Sequence, residues 1–509
     1  MPKPQIKKQI FDVPDRTLRS DSEAQRLIWV ILSILYAAIT LYTVLNHEFG
    51  RDETAPWLVV RDTDFFHIFT ELRYQLHTFL WYLFITPFAK LGFPCETIGI
   101  LNWLLVQGVA YLLIWRSPLP KTTTLLGVFS FYLFWQYAID ARGIYALGLL
   151  VLFFIAYYYP KRFSHPLRFG ILLFLLFNSN VTMFPPAGAL LLVWALQSLV
   201  EKKLNTKTLS GMLIAGVGFL IAIWQVGLIF PPSDLPLIGR TDGVGFQPES
   251  LLKALCGAFF AGLNPVPMLA IPAFVMVSVL LYSLASRPFS LLFCCTHIVG
   301  NLCVIGLKPI YTSERHYGII LMGIIFALWI AHYEEDRDLG YIGKNITTFF
   351  SKNFKSAVLA LNISFIASMG FGFLMHYYEW NFLFSGCSEM ASFIKKNNLE
   401  KVPIASHRYG HLTPIAAYLP GKKFWYAGIG KDATFVHVNY AHVHVGHVMP
   451  YDRVLQKIDE HFPSNEEILI LLDTKINNAE ESKYQLLHKV DDNVFGSDER
   501  CYLYLRKTR

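Results

Sequence analysis

The sequence predicts a polytopic α-helical membrane protein with about eleven spans and a small soluble α/β domain at its C-terminal end. Three observations carry this. Of 509 residues, 54% are hydrophobic and only 16% charged, a membrane composition rather than a soluble one. The apolar runs approach the ~20 residues a bilayer requires and are separated by basic clusters. From Glu379 onward the apolar runs shrink to strand length and Gly, Asp, His and Lys return.

The expected organisation is a cytoplasmic segment over 1–26, a transmembrane domain over 27–378 with its first external loop at 46–96, and a soluble domain over 379–509. The first 26 residues are basic and lead into an apolar run too long for a cleavable signal. Lys3, Lys7, Lys8, Arg16, Arg19 and Arg26 put the N-terminus in the cytoplasm. Residues 27–45 form the first span, so the charged stretch after it lies on the far side. The 78–93 segment is short and carries Pro87 and Lys90. If it crossed, Arg116, Lys121 and the Lys161–Arg168 cluster would fall outside. As a re-entrant or interfacial helix it leaves every basic cluster cytoplasmic, which is the arrangement expected.

Further spans are expected at 97–115, 122–139, 143–159, 168–179, 182–199, 209–230, 266–286, 289–306, 317–332 and 356–376. Far-side tips then fall at 140–142, 178–180, the loop 230–264, and 308–317. In the tail, strands are expected at 402–406, 434–438 and 467–473, with helices at 389–397 and 451–461. An odd span count puts this domain on the same side as the first loop.

Composition also excludes function classes. The net charge of +7 contains no Lys/Arg run of nucleic-acid-binding length. The seven cysteines follow no zinc or haem spacing, although Cys387 and Cys501 could pair if the tail faces an oxidising compartment. A bacterial inner or plasma membrane is expected rather than the endoplasmic reticulum, although both give the same topology.

Chemistry concentrates on the far side. The first loop carries Glu48, Arg51, Asp52, Glu53, Arg61, Asp62 and Asp64, the third loop Asp140 and Arg142, and the last Lys308, Tyr311, Glu314, Arg315 and His316. Carboxylates beside cations at a membrane surface suit a reaction in which a base deprotonates an acceptor while cations hold a phosphate. Asp62-Thr63-Asp64 also matches the short acid pair that binds metal in nucleotide-sugar transferases, but capping of a helix starting near Phe65 is the stronger expectation. His437, His442, His444 and His447 lack a carboxylate or Cys partner at ligand spacing and read as solvated.

Arg51-Asp52-Glu53 with Trp57 and Arg61-Asp62 resembles the RDEAxxW…ARD pattern in the first external loop of polytopic, lipid-dependent glycosyltransferases with the GT-C fold. Phe79-Leu80-Trp81-Tyr82-Leu83 resembles the juxtamembrane helix that follows it. Tyr137 to Leu147 resembles the YxxxxARxYAL stretch, Arg315-His316-Tyr317-Gly318 the RHxG turn, and the tail from Ser385 the external α/β domain. Aminoarabinose transferases and protein O-mannosyltransferases are more distant members. His77 is followed by Thr78, where the family usually has proline. The resemblance implies transfer of a sugar from a polyprenyl-phosphate donor to an acceptor hydroxyl, with inversion. It makes Asp52 the catalytic base, with Glu53 orienting the acceptor or tuning Asp52. Arg51, Arg61, His77, Asp140, Arg142, Lys308, Tyr311, Arg315 and His316 would bind substrate, with a divalent cation as a further option. The partners implied are the lipid-linked donor and membrane lipid. Two alternatives remain: a polytopic transporter, and a non-glycosyl transferase of lipid-linked substrates.

Overall fold

The computed structural model describes residues 22–75, 77–229, 247–263, 266–307, 313–338, 349–407, 409–434, 451–476, 483–491, 494–495 and 499–506. Lys308, Tyr311 and the histidines at 437, 442, 444 and 447 lie outside the described residues, as does most of the strand expected at 434–438.

The chain is mostly helical. Among the described residues, eight helices are long and apolar enough to cross a membrane: Glu23–Asn46, Thr97–Arg116, Gly143–Lys161, Val181–Val200, Thr206–Leu228, Pro288–Gly306, Glu314–Ala331 and Phe349–Asn381. They coincide with eight of the expected spans. The other three expectations are met only by shorter pieces. Pro166–Phe177 and Met268–Ser283 are apolar but short. The 122–139 stretch is broken: an α-helix over Lys121–Val128 is followed by a π-turn at Tyr132–Gln136. Ser130 Oγ donates to the Gly127 carbonyl at 2.6 Å there, a local bond that competes with the helical ladder. The 230–264 loop also contains a twelve-residue amphipathic helix, Pro248–Phe259.

Helix α1 (Glu23–Asn46) opens on a reciprocal cap, Gln25 N–H to Ser22 Oγ and Ser22 N–H to Gln25 Oε1. Most of its large side chains are exposed, as expected of a lipid-facing helix, and polar clamps fix its inner face. Tyr36 donates to the Leu133 carbonyl at 2.6 Å, and Thr43 meets His376 and Trp380 of the Phe349–Asn381 helix. Such bonds are strong organisers where apolar burial cannot discriminate one helix from lipid.

The first loop folds into three helices, α2 (Arg51–Asp62), α3 (Phe65–Gln75) and α4 (Phe79–Lys90). Asp64 caps α3 by accepting the Phe66 and His67 N–H groups, each at 3.0 Å. Thr78 precedes α4 in extended conformation, and its hydroxyl donates to the Ser179 carbonyl at 2.8 Å. This side-chain bond anchors the entry to α4.

The tail holds a mixed six-stranded sheet in the order β3-β2-β1-β4-β6-β5, from β1 (Ile404–Ser406), β2 (Phe424–Tyr426), β3 (Lys431–Ala433), β4 (Leu469–Leu472), β5 (Tyr484–Val490) and β6 (Cys501–Arg506). β1 pairs in parallel with β2 and β4, and the other pairings are antiparallel. Period-two alternation divides the side chains. Ile404, Phe424, Leu469, Leu471 and Leu503 join the core beneath the helices Cys387–Lys396 and Tyr409–Tyr418. Ala405, Trp425, Ile470 and Leu472 pack with Val454, Leu455 and Ile458 of the Tyr451–His461 helix. The sheet is therefore covered on both faces, and the first of these cores runs on into the transmembrane helices.

Candidate functional site

α2 carries the acidic cluster, and its N-terminus is held by two acids, Glu53 and Glu499. Glu53 Oε2 accepts the Gly50 N–H at 2.8 Å, and Glu499 of the tail accepts the Arg51 N–H at 2.9 Å. With Asp52 alongside, negative charge gathers where the helix dipole favours it. Pro56, one turn on, cannot donate to the Asp52 carbonyl.

Asp52 is the site's open group, with 43% of its side chain reaching solvent. Arg142 Nη2 pairs with its Oδ2, and Arg51 Nε lies 3.5 Å from Oδ1. Burial opposes its charge, but Arg142, then Arg51, Arg315 and His77, outweigh it and hold the carboxyl well below the usual range. Asp140 backs the pair from the other side, its Oδ1 3.3 Å from Arg142 Nε and its Oδ2 accepting from Gln136 at 2.8 Å. Burial raises the Asp140 carboxyl above the ordinary value, with Arg142 opposing the rise.

Around this pair stand His77 and Arg315. Burial and the positive charge of Arg142 push the His77 ring down to about 4, so it is neutral at pH 7. Its Nδ1 lies 3.2 Å from the Tyr82 hydroxyl. Arg315 is positioned through its backbone, whose carbonyl accepts from Tyr137 at 2.7 Å, within the stacked row Tyr132, Tyr137 and Tyr145. Its Nε is buried and has no hydrogen-bond partner among the described residues. Trp81 packs so closely on Gly143 that a Cβ there would meet its ring at 2.2 Å. Only glycine lets Arg142 and the start of the next span approach α4 this closely.

The remaining expected residues sit elsewhere or are already engaged. Glu53 is turned inward, away from solvent. It is buried, accepting from Ala141 N–H at 2.7 Å and from Gly50, and its Oε1 lies 3.0 Å from His47 Nε2. This geometry supports a positioning role, joining α2 to the Asp140–Arg142 turn. Arg61 points away: it forks onto Asp62 at 2.7 and 2.9 Å and reaches the Ala416 and Ala417 carbonyls at 3.2 Å. It thereby caps the Tyr409–Tyr418 helix and docks the tail. His316 is buried between Tyr145 and Ser313, each at 2.8 Å, and supports the wall. Asp62 and Asp64 are engaged by Arg61 and by the α3 cap, and among the described residues no three His, Cys, Asp or Glu side chains gather as a metal site.

Sequence reasoning missed two groups. One is the buried chain Glu53–His47–Glu379. His47 Nδ1 lies 2.8 Å from Glu379, and Trp135 donates to the same carboxylate at 3.0 Å. Burial disfavours a charged ring, but Glu379 and Glu53 hold the His47 imidazole well above its ordinary value, so it is an imidazolium between two carboxylates. The other is Glu499, which also accepts from Ser385 Oγ at 2.7 Å. Burial pushes its carboxyl up to about 7 despite the Arg51 N–H and charge, with Asp52 adding to the rise.

Glu499 makes tail docking pH-sensitive. Its folded value of about 7 exceeds the unfolded 4.5, so its contribution is full below pH 4.5 and declines as pH rises through about 7. The span corresponds to about 3 kcal/mol. Thermal melts from pH 4.5 to 8 should show stability falling, and Glu499→Gln should remove the share of that slope lying between about pH 4.5 and 7. Glu48, which burial pushes from 4.5 up to about 8, keeps a slope of the same sign and at least comparable size in the variant.

No protein-family model matches the chain, and no curated protein matches it.

Proposed function

We propose that the chain is a membrane glycosyltransferase that moves a sugar from a polyprenyl-phosphate donor to an acceptor hydroxyl on the extracytoplasmic face. The observation that carries this reading is the Asp52–Arg142 ion pair, partly open to solvent and flanked by Arg315 and neutral His77. The motif resemblance in the same residues adds support.

The pair has a chemical consequence. A carboxylate held this low is a poor base, because proton transfer needs a better-matched affinity. A donor phosphate is the stronger ligand for a guanidinium fork and would draw Arg142 away, with Arg315 as second cation. Asp52, losing its largest stabilising partner, would rise in proton affinity only when donor is bound. It would then take the acceptor hydroxyl proton as the acceptor oxygen bonds to the anomeric carbon. The bond from that carbon to the phosphate oxygen breaks, and the departing charge falls on Arg142 and Arg315. Coupling the base to donor occupancy also limits wasteful hydrolysis. Asp140 keeps Arg142 within reach throughout. The N-terminus in the cytoplasm and the tail beyond the membrane belong to the same proposal.

Native mass spectrometry after mild extraction tests the donor class. A co-purifying polyprenyl-phosphate sugar is expected. A transported solute bound instead, with no such lipid taken up on addition, would overturn the reading.

A further inference from the structure

Cys387 opens the Cys387–Lys396 helix and Cys501 opens β6, 114 positions apart, yet their sulfurs lie 3.9 Å apart and both side chains are fully buried. The segments leading to them are already joined. The Gly386 N–H donates to the Glu499 carbonyl at 3.1 Å, and Ser385 Oγ donates to the Glu499 carboxylate at 2.7 Å. The other carboxylate oxygen of Glu499 holds the Arg51 N–H, one residue from Asp52. The two sulfurs thus sit directly behind the contact by which the tail caps α2.

We propose that Cys387 and Cys501 are oxidised to a disulfide during folding, and that this bond fastens the Ser385–Glu499 latch beneath Asp52. The separation exceeds the about 2.05 Å of an S–S bond by a distance that small side-chain rotations can close. The reaction is exchange with a disulfide of the surrounding compartment. Its two sulfurs leave as two thiols, while the two cysteines lose their protons and share the new bond. Burial pushes the Cys387 thiol up, so thiolate is scarce once the sheet has closed, and the bond forms before that. The inference goes beyond the transferase reading and shares with it only the extracytoplasmic position of the tail.

The test uses the full chain in its native membrane. Thiols are blocked with N-ethylmaleimide in denaturant, then reduced and labelled with a heavier maleimide, and peptides are read by mass spectrometry. Cys387 and Cys501 should take only the second label, and in Cys387→Ser, or Cys501→Ala if that variant accumulates better, the surviving cysteine should take the first. First-label modification of both in the unsubstituted chain overturns the disulfide. A parallel Lys395→Cys variant, at an exposed helix position, is probed with an impermeant maleimide to fix the side of the tail. Outside labelling with reduced cysteines sinks the disulfide alone. Labelling only after lysis, with reduced cysteines, sinks both the disulfide and the tail placement, whereas oxidised cysteines there leave the disulfide standing and sink the placement. Loss of the bond should also speed amide exchange at Arg51 several-fold, and unchanged exchange would sever it from the latch.

Discussion

Asp52→Asn is expected to lower sugar transfer by about 10²- to 10⁴-fold, the range a positioned general base contributes. Asparagine keeps the shape and can still accept a bond from Arg142, so α2 should stay capped and the protein should purify with an unchanged melting profile. The loss belongs in turnover rather than in donor affinity, because Arg142 and Arg315 remain. Full activity in the folded variant would remove Asp52 from the mechanism. A mere two- to threefold loss would assign it to positioning, as one member of an ion pair with Arg142 and Asp140.

The second large effect concerns stability. His47→Ala removes the imidazolium between Glu53 and Glu379, all three less than a tenth exposed. Breaking a buried pair while leaving the opposite charge in place costs about 3–5 kcal/mol, and here two carboxylates are left facing each other. The thermal midpoint in detergent should fall by many degrees. Because Glu53 also holds the Ala141 N–H, the Asp140–Arg142 turn should loosen and transfer should fall with it. Combining His47→Ala with Glu379→Gln removes one of the stranded charges and should recover part of the stability. No recovery would mean that packing against Phe49 and Phe384, rather than charge, makes His47 important.

Eight of the expected spans and the clustering of Asp52, Arg142 and Arg315 were legible because both follow from local rules. Apolar runs report length directly, and charged residues gather where a bilayer excludes them least. The break in the 122–139 stretch was not legible, since a Ser hydroxyl and a π-turn leave mean hydropathy unchanged. Strands β2 and β3 were missed because three residues are too few for periodicity to stand out, whereas the amphipathic Pro248–Phe259 helix and strands β5 and β6 are long enough to read and were overlooked.

Site residues divide in the same way. The charge of Glu53 is visible in the sequence, but its direction depends on His47, Ala141 and Glu379, the last about 330 residues away in the chain. Arg61 reads as a phosphate ligand until the Tyr409–Tyr418 helix brings two carbonyls to it. Glu499 lies near the end of the chain with no motif around it, and only the docking of β6 brings it to α2. Residue types and periods give candidates, whereas partner assignment needs the long-range contacts.

Exchange of Arg142 from Asp52 to a donor phosphate can be measured without any turnover. Polyprenyl phosphate, which carries the anionic group but no sugar to transfer, is titrated in detergent against the unsubstituted protein, Asp52→Asn and Arg142→Gln. Release of Arg142 predicts tighter binding to Asp52→Asn and weaker binding to Arg142→Gln, each by about tenfold or more, the equivalent of one charge-assisted hydrogen bond. Equal affinity in all three proteins would contradict it.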